Sequence, residues 1–103
     1  MANITQREVF IMEYRRFGNT IYLRLDPKEE ILEEIGKVAK KENIRLAQVT
    51  GLGAINDFTA GVYNTVTKEY HSIQFQGAFE IVSLTGTVTR KDGDVYLHLH
   101  IAA

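Results

Sequence analysis

The chain has 103 residues, with 12 Lys plus Arg against 13 Asp plus Glu, three histidines and no cysteine. A chain of this length forms one domain, and the lack of cysteine excludes disulfides and thiolate chemistry. Because the charge is near neutral and no basic stripe occurs, electrostatics alone do not predict nucleic-acid binding. No segment has the apolar length of a membrane span or a signal core, so we expect a cytoplasmic protein without membrane contact.

Runs typical of β-strands come in sequence-adjacent pairs separated by short polar turns. This order favours hairpins and antiparallel pairing over repeated crossover units. In the first pair the connection over residues 15–19 contains Gly and Asn, which supply a turn. The predicted strands outside the carboxyl-terminal hairpin cover residues 9–12, 20–25, 45–50, 58–63 and 70–75. The cations Arg15, Arg16, Arg90 and Lys91 are expected at loop tips.

A single convincing helix is predicted between the first two pairs of strands. Asp26 is a good N-cap, Pro27 suits the first helical position, and Glu29 has the spacing of a capping box. An apolar stripe of helical period follows, and Asn43 can take the left-handed conformation that ends a helix. The sequence therefore predicts the main helix over about residues 27–42.

The glycines Gly51 and Gly53 allow two interpretations. Glycine occurs where backbone amides approach a phosphate, but a dinucleotide fingerprint needs a third glycine and a helix directly afterwards. Here a strand-like run follows, which favours a bend or a bulge.

The most informative pattern is residues 77–86 followed, after a charged turn, by residues 97–101. The dipeptide Asp92-Gly93 is a strong hairpin signal, and a two-residue turn there pairs Lys91 with Asp94. Counting outward from this turn gives one apolar and one polar face. The apolar face receives the pairs Val88 with Leu97, Gly86 with Leu99, and Leu84 with Ile101. The polar face receives Thr89 with Tyr96, Thr87 with His98, and Thr85 with His100.

His98 and His100 are the candidate metal ligands. Residues two apart on a strand share a face, so the two imidazoles can converge on zinc or another transition metal, with Thr85 and Thr87 supporting them. A stable site needs three or four protein ligands. Further candidate ligands without a diagnostic spacing are His71, Glu80 and Asp57. The alternative is two surface imidazoles hydrogen-bonded to the threonines or to a neighbouring chain.

Taken together, four segments resemble the PPC domain, also written PCC, the "plants and prokaryotes conserved" domain. These segments are Leu23–Leu32, Thr50–Ala54, Gly77–Gly86 and Leu97–His100. The resemblance implies an α+β fold, mostly an antiparallel β-sheet flanked by one helix, that assembles as a homotrimer. Prokaryotic members are regarded as candidate DNA-binding proteins, and plant members carry separate AT-hook segments that bind DNA. No such hook occurs in this chain.

The resemblance also bears on Gly77, Phe79 and Glu80. In plant members the corresponding stretch is associated with binding other proteins, which makes these three residues candidates for ligand or partner contact. Here Ala78 stands in place of an Arg that could bind carboxylates. The alternative is a turn glycine with Phe79 buried in the core or at a subunit interface.

The family usually continues past the His-bearing strand into a Gly-Gly-His turn and a last strand, whose histidine can complete a cluster or metal site. This sequence ends at Ala103. We therefore expect one PPC-like domain over residues 1–103 that lacks the family's carboxyl-terminal strand. Either the sequence is truncated or a partner subunit covers the open edge.

Three functional hypotheses follow. The first is a non-enzymatic homotrimeric module that binds or regulates partners, with DNA and other proteins as partner classes. The second is a metal-dependent enzyme or small-ligand binder with a histidine site near a subunit interface, in which Glu80 is the only candidate base. The third is a purely structural trimer.

Overall fold

The structure is a computed structural model that describes residues 13–103, so the predicted strand 9–12 lies outside the described residues. The elements in chain order are β1 (Glu13–Phe17), β2 (Thr20–Arg24), α1 (Ile31–Lys41), β3 (Ala47–Asn64), β4 (Glu69–Lys91) and β5 (Asp94–Ala102). Strands β1 and β2 form one antiparallel sheet, and β3, β4 and β5 form a second in that order. The predicted α+β architecture, mostly antiparallel with one helix beside it, is confirmed.

The first hairpin turns more tightly than predicted. Pairing continues to Phe17 opposite Thr20, which leaves only two residues in the turn, and the glycine there, Gly18, has φ +60°. Arg15 and Arg16 therefore lie within β1, and their predicted placement at a loop tip is wrong.

The helix begins later than the predicted residue 27. Lys28 has φ +75°, which a right-handed helix cannot contain, and the Asp26 amide donates to Glu29 Oε1 across a turn. Glu30 is the actual N-cap, since its carboxylate accepts from the Glu33 amide at 2.6 Å. The predicted end of the helix is confirmed, because Asn43 adopts φ +51° directly after the C-cap Glu42.

Strands β3 and β4 are much longer than the predicted runs. The expected corner at Gly51 and Gly53 is a bulge, and a second irregularity lies between Ile55 and Asp57, but pairing resumes after each. A bulge bends a strand without ending its ladder, so the runs predicted as separate strands are joined. Since β3 continues through the two glycines and no helix follows them, the phosphate-loop interpretation has no structural basis.

The β4–β5 hairpin follows the predicted register throughout. Asp92 and Gly93 have φ +53° and +84°, as a tight turn with two left-handed residues requires. Each cross-strand pair counted outward from this turn is confirmed, including Thr87 opposite His98 and Thr85 opposite His100.

The core lies between α1 and the adjoining part of the second sheet. Its buried apolar side chains are Val38, Ala39, Ile81, Leu84 and Val88. Arg90 links this sheet to the segment between α1 and β3, because its Nε donates a hydrogen bond to the Ile44 carbonyl at 3.0 Å. The predicted position of Arg90 at a loop tip is therefore wrong. In the described part of the chain no helix is long and apolar enough to cross a membrane.

Candidate functional site

The histidine pair lies on the exposed face of β5, which forms an edge of its sheet. His98 Nε2 and His100 Nε2 are 3.1 Å apart, and each imidazole is hydrogen-bonded to the other. Their rings meet edge to face with centroids 4.8 Å apart. Thr87 and Thr85 lie beside them on β4.

This spacing suits chelation of one metal ion. At the usual zinc to nitrogen distance and tetrahedral angle, two ligating nitrogens lie about 3.3 Å apart. The observed 3.1 Å is close to that separation, so the rings need little movement to ligate through Nε2. The pair supplies two of the four positions of a tetrahedral zinc site.

The other candidate ligands do not join the pair. Within residues 13–103, no three His, Asp or Glu side chains are grouped so as to hold a metal ion. His71 lies near the start of β4, where its Nε2 is 3.6 Å from Glu69 Oε2. Asp57 accepts a hydrogen bond from Gln74 Nε2 at 2.9 Å, and Glu80 is paired with Ala54.

Gly77, Phe79 and Glu80 lie within β4, next to an irregularity, and not in a turn between strands. Gly77 has φ +141°, which disfavours any residue with a side chain. Phe79 is half-buried against Phe58, with ring centroids 5.4 Å apart, and Phe58 stacks on Phe75 at 5.2 Å. Phe79 thus belongs to an aromatic cluster, while Glu80 is exposed.

Beyond this cluster, exposed apolar side chains lie on both faces of the β3–β4 hairpin. We call residues 52–82, the part of the hairpin beyond Gly51, the arm. Among the described residues thirteen large hydrophobic side chains are exposed, and eight of them lie on the arm. These eight are Leu52, Val62, Tyr63, Val66, Tyr70, Ile73, Phe75 and Val82. Sequence reasoning missed this surface because strand-like alternation predicts a buried face whether or not the chain itself provides a cover.

Comparison with known proteins shows which family the chain belongs to. The model of the Plants and Prokaryotes Conserved (PCC) domain matches residues 12–103. The chain belongs to this family. A structure of a candidate DNA-binding protein from Bacteroides thetaiotaomicron has 32% identity and a TM-score of 0.82, over 87% of this chain and 63% of that one. A PPC protein from Pyrococcus horikoshii has 33% identity and a TM-score of 0.72, over 88% and 62%.

A third solved structure shares the fold alone. A metal-containing protein from Archaeoglobus fulgidus has 23% identity and a TM-score of 0.69, over 88% of this chain and 58% of that one. The chain thus spans about three fifths of the length of each of these structures. No curated protein matches the chain significantly.

Proposed function

We propose that this PCC-domain chain is a non-enzymatic binding and regulatory module that works as a homotrimer. The observation that carries the proposal is the apolar surface of the arm. Five hydrophobic side chains are buried in the described part of the chain, against thirteen large ones that are exposed. Side-chain alternation places Val62, Ile73 and Phe75 together on one face of the arm. Adjoining exposed apolar side chains mark a protein interface, and the family resemblance favours further copies of the same chain as the partner.

Substitution on the arm tests this proposal. Val62 and Ile73 are 75% and 59% exposed, so Val62→Thr with Ile73→Thr removes apolar surface, keeps the β-branched shape and barely affects the core. We expect the double variant to dissociate at higher protein concentration than the unchanged chain, measured by sedimentation velocity over a dilution series.

Leu46→Thr is the matched control, because Leu46 is 78% exposed but lies outside the arm. Its dissociation should follow that of the unchanged chain. If all three proteins associate equally, the arm is not the interface.

DNA is the first external partner to test, since the Bacteroides structure at 32% identity is described as a candidate DNA-binding protein. The formal charge of −1 predicts weak, salt-sensitive contact unless assembly brings cations together. Fluorescence anisotropy with an AT-rich duplex in low salt measures it. No change in anisotropy at the highest protein concentration would remove duplex DNA from the proposal.

A second candidate function is a metal-dependent site at His98 and His100, near a subunit interface. It is supported by the 3.1 Å separation of the two Nε2 atoms, which lie on an exposed face. Such a site serves small-ligand binding, or catalysis if a base such as Glu80 is brought close by assembly. Thr85 and Thr87 flank the pair and would restrict the ring orientations.

Metal titration tests this second function. We expect calorimetry to show saturable zinc binding to the tag-free chain, and loss of it in both His98→Ala and His100→Ala, because either change destroys the chelate. His71→Ala is the control, since His71 lies near the other end of β4, and it should bind as the unchanged chain does. Zinc binding that survives the loss of both His98 and His100 would exclude this site.

A further inference from the structure

We infer that the outer face of the β1–β2 hairpin binds single-stranded nucleic acid, stacking a base on Tyr22 and Phe17 and contacting a phosphate through Arg15. This rests on the proposed function only in taking nucleic acid as a partner. It differs by placing the contact on a surface separate from the arm and from the histidine pair.

The hairpin is fastened to the helix through Tyr14 and Arg16. The Tyr14 hydroxyl donates to Glu42 Oε2 at 3.0 Å, and Arg16 Nη1 to Glu42 Oε1 at 3.1 Å. The alternation of side chains places Arg15 and Phe17 on the opposite face, with Tyr22 directly across from Arg15. The outer face therefore belongs to a hairpin that the two hydrogen bonds to Glu42 hold against the end of α1.

An open groove of about 200 Å³ lies at this hairpin. The residues that line it are Glu13, Tyr14, Arg15, Phe17, Tyr22 and Arg24. Phe17 and Tyr22 are 62% and 68% exposed, and their rings meet edge to face with centroids 5.9 Å apart. An exposed aromatic pair of this kind offers ring surface on which a flat ligand can stack.

The two arginines of the groove differ in whether a carboxylate lies close to the guanidinium. Arg24 is neutralised, since its guanidinium is 3.3 Å from Glu13 Oε1 and 2.9 Å from Asp26 Oδ1. Arg15 has no ion-pair partner among residues 13–103 and is exposed. A guanidinium that no carboxylate of residues 13–103 pairs with, next to exposed rings, is complementary to a ligand that joins a planar group to an anion.

Nucleotides within a single strand have this chemistry. Their bases are free to stack on aromatic side chains, whereas the bases of a duplex are already stacked inside it. In the described part of the chain the groove offers a single arginine without a carboxylate partner, which is too little charge for a duplex-binding stripe. Stacking of bases on aromatic rings contributes to affinity independently of net charge, so it can act in a chain whose formal charge is −1.

Fluorescence anisotropy with labelled oligothymidine in low salt tests the inference on the full chain. We expect saturable binding that Tyr22→Ala with Phe17→Ala weakens by about fivefold or more, because base stacking contributes on the order of 1–3 kcal/mol per base. Tyr22→Trp should retain binding. Arg15→Gln should lower the dependence of log affinity on log salt by about 0.7, the value for one phosphate on a single strand.

Tyr96→Ala and Arg45→Gln are the matched controls, because both residues are exposed and lie outside both the groove and the arm. Neither should change the affinity for oligothymidine. Circular dichroism spectra matching the unchanged chain establish that each variant is folded.

The outcomes separate this inference from the proposed function. Binding of the AT-rich duplex without oligothymidine binding overturns the inference and leaves DNA as a partner. Oligothymidine binding that Tyr22→Ala with Phe17→Ala leaves unchanged also overturns it. An unassociated chain that still binds oligothymidine through the groove contradicts the homotrimer and supports the inference.

Discussion

Gly86 shows how closely two strands approach at a single residue. A Cβ built at Gly86 would lie 2.8 Å from Leu99 Cα and 2.6 Å from Leu99 Cδ2, closer than carbon atoms can approach. Gly36 differs, because a Cβ there would meet Leu97 Cδ1 at 3.8 Å in ordinary contact. The two glycines therefore have opposite tolerance for a methyl group.

We expect Gly86→Ala to lower the free energy of unfolding by about 3 kcal/mol, since overpacking displaces backbone as well as side chain. Gly36→Ala should raise it by roughly 0.5–1 kcal/mol through helix propensity. Urea unfolding followed by circular dichroism measures both. A Gly86→Ala variant as stable as the unchanged chain would show that β4 and β5 are not packed this closely.

The position of the candidate histidine site was predictable from single residues, because the register of the β4–β5 hairpin depends on the residues of its turn. Asp92 and Gly93 determine the turn, and counting from them places His98 and His100 on one face. The mutual hydrogen bond of the imidazoles was not predicted, because a rotamer choice carries no sequence pattern. The groove at Tyr22 was missed for a similar reason, since exposure is a tertiary property.

At the scale of elements, Glu42 joins the first hairpin to the carboxyl end of α1. The hydrogen bond from Arg16 and then that from the Tyr14 hydroxyl hold the pKa of the Glu42 carboxyl below its usual value. A carboxyl whose pKa is lowered by folding stabilises the folded state when ionised. This contribution is present above about pH 4.3, the usual Glu value, and is lost as pH falls through the lowered pKa.

Glu42→Gln should therefore be less stable than the unchanged chain at neutral pH, and the difference should disappear in acid. The midpoint of urea unfolding, measured for both proteins from neutral pH downward, checks this. Glu69→Gln is the control, because Glu69 is on the exposed arm, 3.6 Å from His71. A difference for Glu42→Gln that persists undiminished in acid would contradict the assignment.

The elements themselves were predictable where local signals agreed. The helix end at Asn43 and the hairpin at Asp92 both depend on left-handed residues that the sequence displays. The helix start was wrong because Lys28, a residue with no turn preference, takes φ +75°. The continuity of β3 was missed because glycine signals a break and a bulge equally well.

At the scale of the whole molecule, the chain is elongated, with extents of 56 × 35 × 20 Å. Its core lies between the helix and the adjoining sheet, while eight large hydrophobic side chains of the arm are exposed. A domain of this size is only marginally stable, so apolar surface exposed to water favours association. Neither the arm surface nor its cover follows from sequence periodicity, since pattern shows which face is apolar and not what packs on it.

The molar mass of the chain in solution tests the central claim, which is self-association through the arm, most directly. Sedimentation equilibrium at several protein concentrations should give three times the chain mass of 11.7 kDa, about 35 kDa, with dissociation only on strong dilution. A mass of 11.7 kDa at every concentration would contradict the account, since the exposed side chains of the arm would then remain in water.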